Sequence, residues 1–563
     1  MKLFVKNHKK LFVAIILMLP ANAVAQSNFS AIEMAKKIAD AVIAKTNFAL
    51  TETEQKPVLS LQVVDLKRAA NIFKTLPVFA HAEIMTKRDT ILRFGISSTS
   101  PVKIIVNKNI QFTSSGKRPF RFKEIAYSIF TFQDTMSVFL RAGRNLIQVI
   151  PAQKDSVPVV LIRECVEGDQ SPQTTFSGLD FTGDGSPWCY STSHEDNGVT
   201  LPVRYTKKLA KNNGPAYHGD PYTEWNYPNG ILMMSMMNLS RATGDSVYDT
   251  FVARYCDFIL KNLPLFQKQY FEQYDLRGSN HRMFRCSMLD DAGSPLLPFV
   301  EVALEHSIHT YDTIIGQKEN YILHGQPRLI DGTFCRPEPE PWTVWADDLF
   351  MSAPLLMRLG ALRHDTKYYD EAARQVILFQ DRLYDAQTKI MKHGWFSRTS
   401  RQSEVSWGRA NGWMFWASAE VLTMLPHDHP LYAKIAERMK NFAEGLAALQ
   451  SPDGMWHQVL TDTSSYEETS CTAMFIIGFS KGMKTGVLDT TYRERMLKAW
   501  NTLQQKIDRN GEVTDICCGT ELGSNNDFYK ARTRPLSDPR GLGAIITAAI
   551  EIGSLPQAIT KIK

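Results

Sequence analysis

Apolar positions along the chain follow two different periods. From about residue 80 to 165 they alternate with period two, in TILRFGI, VKIIVNKNIQF, SIFTFQDTMSVFL, NLIQVIPA and VPVVLI. The turn sequences SSTSP, SSGKRP and RAGRN separate these runs, and short alternating segments with turns at this spacing predict a β-sandwich. In SAIEMAKKIADAVIAKT (30–46), and from about 228 onward, apolar residues fall at helical spacing instead. Residues 166–220, rich in Gly, Ser, Thr, Asp and Pro, read as a long linker.

The helical part repeats. A turn with an acid precedes a Tyr and a long amphipathic helix in GDSVYDTFVARYCDFI, HDTKYYDEAARQVILF, HDHPLYAKIAERMKNF and LDTTYRERMLKAWNTL. The tyrosines are Tyr248, Tyr368, Tyr432 and Tyr492, and Tyr311 lies close to the midpoint of the one double step. A period near 60 residues is one helix pair with its connections, so the pattern is an array of helical hairpins. Predicted helices cover about 30–45, 229–243, 246–262, 293–307, 310–322, 345–361, 366–383, 409–424, 430–448, 468–485, 490–507 and 541–555. Six hairpins close into a toroid, so the predicted fold is mainly α, an (α/α)6 barrel with an inserted or N-terminal β-sandwich domain. Helix 30–45 is needed to complete the count; the alternative assigns it to the β domain and leaves the toroid imperfectly closed. The expected divisions are a signal peptide (1–25), a first barrel helix (26–55), a β-sandwich-like accessory domain with linker (56–200) and a catalytic barrel (201–563).

Composition narrows the function classes. The N-terminus has a lysine-rich start, the apolar run Leu11–Leu19 and small residues in ANAVAQ (21–26), the pattern of a cleaved secretory signal. That run falls well short of the roughly 20 residues needed to span a bilayer, so a periplasmic or secreted protein without membrane insertion is expected. The formal charge of +6 includes Lys2, Lys6, Lys9 and Lys10, and a chain starting near Gln26 carries only +2. Its charges are interspersed, which is not the footprint of a nucleic-acid binder. The 8 Cys contain no C-x-x-C and join no His/Cys cluster of zinc spacing, so no metal and no cofactor is expected.

Segments dense in Trp, His, Arg and Asp lie between the hairpins: WNYPNG (225–230), FRCSMLDD (284–291), WTVWADDLFM (342–351), KHGWFS (392–397), SWGRANGW (406–413) and GMWHQV (454–459). On one rim of a toroid this is the composition of an oligosaccharide site. Trp faces stack on a pyranose and a planar Arg forks a carboxylate; core filling is the alternative for any single Trp. Asp347–Asp348 and Asp290–Asp291 each begin a helix. Consecutive helical residues point about 100° apart, so one acid of each pair faces the pocket squarely. Two such carboxylates supply glycoside chemistry, and Trp345, Trp395 and Trp413 around one of them would raise its pKa toward that of a proton donor. His393 assists there or is a satisfied structural His.

The segments W-A-D-D-L-F-M (345–351), H-G-W (393–395), W-G-R-A-N-G-W (407–413), Y-E-E-T-S-C-T-A-M-F (466–475) and D-I-C-C-G-T (515–520) resemble the unsaturated uronyl hydrolases of glycoside hydrolase families 88 and 105. The resemblance runs in order from about 225 to 553 and leaves out the β-rich stretch. It implies an (α/α)6 barrel that removes a 4,5-unsaturated uronic acid from lyase-generated oligosaccharides. It implies Asp347 as general acid/base, Asp290 as second acid with Asp291 the neighbouring alternative, and Trp345, His393, Arg409 and Trp413 as substrate-binding residues. In place of a His-Gly often found near the C-terminus of such proteins, this chain has Arg540-Gly541. Two rival readings are a family 76-type α-mannanase using an adjacent Asp pair, and a non-catalytic carbohydrate-binding protein.

Overall fold

The computed structural model describes residues 30–53, 62–74, 76–114, 134–165, 174–177, 188–191, 207–208, 216–271, 278–336 and 342–555. The expected signal segment (1–25) and most of the expected linker lie outside these residues. Twelve described helices have nine or more residues: α1 (Ala31–Lys45), α2 (Tyr227–Thr243), α3 (Val247–Phe271), α4 (Leu297–His306), α5 (Asp312–Asn320), α6 (Asp347–Arg363), α7 (Lys367–Leu383), α8 (Gly408–Met424), α9 (Tyr432–Ala448), α10 (Thr469–Lys484), α11 (Tyr492–Leu503) and α12 (Pro539–Gly553). Among the described residues no helix is long and apolar enough to cross a membrane.

Two kinds of helix alternate. The even-numbered helices are apolar on every side, as in MFWASA or AIITAAI, and are buried almost throughout. A helix hydrophobic all round must lie inside. They form the inner ring, in which α2 packs on α4, α4 on α6, and so on through α12, which packs back on α2. Most odd-numbered helices carry one apolar stripe and form the outer layer. This is an α/α barrel. Close approach in the ring requires missing side chains: a Cβ on Gly230 would sit 2.0 Å from the Ser294 carbonyl oxygen, and one on Gly293 would sit 1.7 Å from that of Met351. Helix α1 begins with a capping box between Ser30 and Glu33. Its Met34, Ala35, Ile38, Ala39 and Val42 belong to the barrel's core, and it packs against α12.

The repeated tyrosines tie neighbouring outer helices together. Tyr248 at the start of α3 donates to Asp40 of α1 at 3.1 Å, Tyr311 just before α5 donates to Asp257 of α3 at 3.0 Å, and Tyr368 of α7 bonds Glu319 of α5. Helix α3 runs past its expected end at 262 through Pro264 to Phe271.

Each inner helix from α2 to α10 is followed by an outer helix that returns, and α1 supplies the outer partner of α12, so the inner helices run parallel and present their N-termini at one rim. The opposite rim is closed by charge. Each inner helix contributes in turn, with alternating sign: Arg241, Glu301, Arg358, Glu420, Lys481 and Glu551. Arg241 meets Glu301 at 2.6 Å, Arg358 bonds Glu301 and meets Glu420 at 2.8 Å, Lys481 meets Glu420 at 2.9 Å, and Lys484 meets Glu551 at 2.6 Å.

The β-rich part has its own core. A four-stranded antiparallel sheet has the order Gln62–Asp65, Val159–Glu164, Thr90–Ser98, Asp134–Leu140. A seven-stranded sheet centres on Phe79–Thr86, Gly143–Pro151 and Val102–Val106, with Asn109–Thr113 at one edge. Asn107 and Lys108, both at positive φ, make the two-residue turn into that edge strand. Leu92, Phe94, Met136 and Val138 from one sheet share a core with Ala82, Ile84, Ile104 and Val149 from the other.

Candidate active site

The N-terminal rim gathers the residues in question. Asp347 is the first residue of α6, Arg409 the second of α8 and Arg540 the second of α12, while Tyr227 opens α2. Asp290 lies in a short helix, Leu289–Ala292, just before α4. A three-stranded sheet of Thr343–Trp345, Gly394–Phe396 and Arg401–Gln402, absent from the sequence expectation, lays the 345–347 segment beside His393. The Ala346 N–H donates to the His393 carbonyl at 2.9 Å.

Both acid pairs divide in the same way. Asp291 is wholly buried and is held by Arg285 at 2.6 and 2.8 Å and by the Ser287 N–H, which together outweigh burial and bring its pKa down to about 2. Asp348 is buried and takes a bidentate fork from Arg336, with contacts at 2.7 and 2.9 Å. Burial and the neighbouring carboxylates push Asp348 up to about 6 against that pull. Asp290 and Asp347 are the partly open members, each with 14% of its side chain exposed. Arg336 also reaches Asp290 at 3.1 Å and lies 4.1 Å over the Trp345 ring. An adjacent Asp pair acting together on one sugar, as the mannanase reading requires, is therefore not present, because Asp348 is committed to Arg336.

His393 is fully buried, with Nε2 3.2 Å from Asp347 Oδ2. Its Nδ1 lies 2.6 Å from the Tyr529 hydroxyl, which itself accepts the Gly523 N–H at 3.0 Å. With the phenol proton assigned to Nδ1, the imidazole proton lies on Nε2, on the side of Asp347, although Nε2 and Asp347 Oδ2 are close without being aligned as a hydrogen bond. Burial lowers the His393 pKa and keeps the ring neutral. Burial alone would raise Asp347, but the His393 contact and the charges of Arg336 and Arg409 outweigh it, and its pKa falls below the ordinary 3.8. The expectation of a desolvated carboxyl with a raised pKa is corrected here: in the free protein Asp347 is a carboxylate.

Two binding residues also differ from expectation. Trp413 has no open face for a sugar; it is fully buried between Phe350 at 4.8 Å and Trp416 at 6.2 Å, with Tyr227 edge-on. Trp225, Trp407 and Trp456 are buried too, so rim tryptophans mostly fill the core, and Trp345 is only 5% exposed. Arg409 points both terminal nitrogens at backbone carbonyls, those of Cys517 and Cys518, and holds that loop instead of offering its fork outward.

The sequence reading missed three participants. Arg336, in TFCRPEPEP, has nothing in its neighbourhood to mark it, and Tyr529 is a lone Tyr after an Asn-rich loop. Tyr227, in WNYPNG, carried a signal in its place at a helix start. Its hydroxyl lies in the field of Arg540, Arg409, Asp290 and Asp347 together.

A closed ring of helical hairpins with two partly open carboxylates and a carboxylate–imidazole pair at one rim defines a glycoside hydrolase of the α/α-barrel type. Residues 203–555 match Glycosyl Hydrolase Family 88, and the chain belongs to that family. It is 28% identical over 253 residues to an unsaturated rhamnogalacturonyl hydrolase of Bacillus subtilis, across 42% of this chain and 72% of that protein. It is 30% identical over 219 residues to an unsaturated 3S-rhamnoglycuronyl hydrolase of an Alteromonas species, across 37% of this chain and 50% of that protein. The fold is shared with a possible glycoside hydrolase family 105 member from Salmonella enterica, at TM-score 0.52 and 21% identity, covering 61% of this chain and 86% of the other.

Proposed function

We propose that the protein removes a 4,5-unsaturated uronic acid from the non-reducing end of an oligosaccharide by hydrating the C4=C5 bond. The observation that carries the mechanism is Asp347 paired with a neutral, buried His393, with Asp290 held on the same arginine, Arg336, that grips the neighbouring Asp348. The C4=C5 bond is a vinyl ether conjugated to the C5 carboxylate. Asp347 takes up a proton when the anionic substrate arrives, because a second carboxylate nearby raises its pKa. It delivers that proton to C4, and positive charge develops at C5 and the ring oxygen. The carboxylate left behind accepts a proton from the water that adds to C5. The hemiketal then opens at the ring oxygen to a C5 ketone, and the neighbouring sugar leaves from C1 with its own glycosidic oxygen. Six inner-helix N-termini at this rim favour an anionic ligand. The relatives' names, both containing a rhamnose unit, favour rhamnose as the neighbouring sugar.

The β-rich stretch reads as a β-sandwich inserted between α1 and α2. Supporting this, Thr51–Thr53 pairs antiparallel with Ala216–His218, so the chain leaves and re-enters the barrel at one point. The N-terminal segment fits an enzyme exported to meet its oligosaccharides.

The test is turnover in labelled solvent, followed by loss of the ultraviolet absorbance of the conjugated bond. Deuterium at C4 and solvent oxygen at C5 are expected. Solvent oxygen at C1, or brisk cleavage of a saturated uronide of the same linkage, would mean direct displacement.

A further inference from the structure

A substrate carboxylate at C5 needs a cation with uncommitted donors, and three guanidinium groups surround the rim. Arg336 directs Nε and Nη2 at Asp348 and Asp290. Arg409 directs Nη1 and Nη2 at the carbonyls of Cys517 and Cys518; its Nε also has no hydrogen-bond partner, but only 1% of the residue is exposed, so that edge is sealed from a ligand. Arg540 differs. It binds Asp538 through Nη1 alone, at 2.9 and 3.0 Å, and 31% of its side chain is open. Its Nε is buried without a hydrogen-bond partner. Gly519 lies flat against that edge of the guanidinium: a Cβ there would come within 3.1 Å of both Nε and Nη2. Asp538, the N-cap of α12, fixes the guanidinium from the other side. Arg540 is the second residue of α12, which packs on α2, the helix that Tyr227 opens, so Arg540 stands at the same N-terminal rim as the acids.

We propose that Arg540, through its Nε and Nη2 edge, is the residue that binds the carboxylate of the unsaturated uronate, a role the sequence had pointed to Arg409 for. This rests on the unsaturated-uronide reading above. A carboxylate at that edge completes a planar fork and gives the Arg540 Nε the partner it lacks. Gly519 keeps the edge clear, and Asp538 holds the plane in register.

The experiment compares the unsaturated uronyl disaccharide with its methyl ester in the wild type, Arg540→Met and Arg540→Lys. Comparing the acid-over-ester ratio of kcat/KM between variant and wild type cancels the intrinsic reactivity of the two compounds. A charge-assisted fork corresponds to about 10- to 100-fold. Arg540→Met is expected to lose that factor for the acid, mainly in KM, while the ester loses far less, so the ratio collapses. Arg540→Lys keeps a charge to meet Asp538 and serves as the folding control; its ratio is expected to fall by about tenfold at an unchanged melting temperature. A ratio that stays at the wild-type value in both variants, or equal losses for acid and ester, would overturn the assignment while leaving the hydration reading standing. A wild type that turns over neither compound would overturn the hydration reading, and the assignment with it.

Discussion

Both ends of the inner ring are built from buried charge, and they satisfy it differently. At the C-terminal rim charged residues of the inner helices meet neighbours of opposite sign, in a run from Arg241 to Lys481, with Lys484 of the same helix pairing Glu551. At the N-terminal rim one acid of each pair is clamped to an arginine, while its neighbour, Asp290 or Asp347, is left partly open. Buried charge that is fully paired closes the barrel; charge left partly uncommitted is available to a substrate. The same chemistry of carboxylate and guanidinium thus serves structure at one end and reaction at the other. Which it does depends on whether every donor and acceptor already has a partner.

The sharpest way to break this contrast is Asp347→Asn. Turnover should fall by about 10²- to 10⁴-fold, the worth of a positioned acid, while the melting temperature stays near wild type. Asp348→Asn should do the reverse. Its main effect should be on stability, read by denaturant unfolding, because Arg336 loses its bidentate partner. If Asp348→Asn is the more damaging to turnover in folded protein, the division of the pair is wrong.

At the other rim, Glu420→Gln leaves Arg358 and Lys481 facing a neutral group. Breaking a buried pair from one side costs about 3–5 kcal/mol, so unfolding should move to much lower denaturant, while kcat of the folded fraction stays unchanged. Altered substrate kinetics in folded Glu420→Gln would mean the two rims are coupled.

Titration tests both rims at once. Lys481 and Arg358 outweigh burial and hold Glu420 down at about 2 against an ordinary 4.5, and Arg285 holds Asp291 at about 2 against 3.8. Both acids stay ionised in the folded protein while the unfolded chain takes up protons below those ordinary values. Their stabilisation, about 3 kcal/mol for Glu420 and about 2 kcal/mol for Asp291, is complete above about pH 4.5 and is lost as pH falls toward 2. Thermal melts across that window should show the loss, and Glu420→Gln should flatten it. Activity should have the opposite trend at neutral pH. The free protein's Asp347 is ionised there and must gain a proton, so kcat/KM should fall about tenfold per unit on the alkaline side.

The smallest effect expected is from Tyr529→Phe, which removes the proton that fixes the His393 tautomer. One neutral hydrogen bond corresponds to about three- to tenfold, and the loss should appear in kcat with KM little changed. A variant that loses stability without losing kcat would make Tyr529 a packing residue alone.

Periodicity was enough to separate the β-rich part from the helical part, to count the hairpins and to place the tyrosine repeat, because burial of one face imposes a period on any sequence that folds this way. It was also enough to put Asp290, Asp347 and Arg409 at or just before helix starts and His393 on a connection between hairpins. Two adjacent acids, however, look alike in a sequence, and their fates were decided by Arg336, which approaches from a loop, and Arg285, at the end of the short helix His281–Arg285, neither of which has a periodic signal. Trp413 and Arg409 carried the composition of a sugar site, but the ring packed one into its core and turned the other onto the carbonyls of Cys517 and Cys518. A residue type states which bonds a side chain is able to make; the tertiary structure decides which of those bonds are already made, and so which groups remain for a ligand.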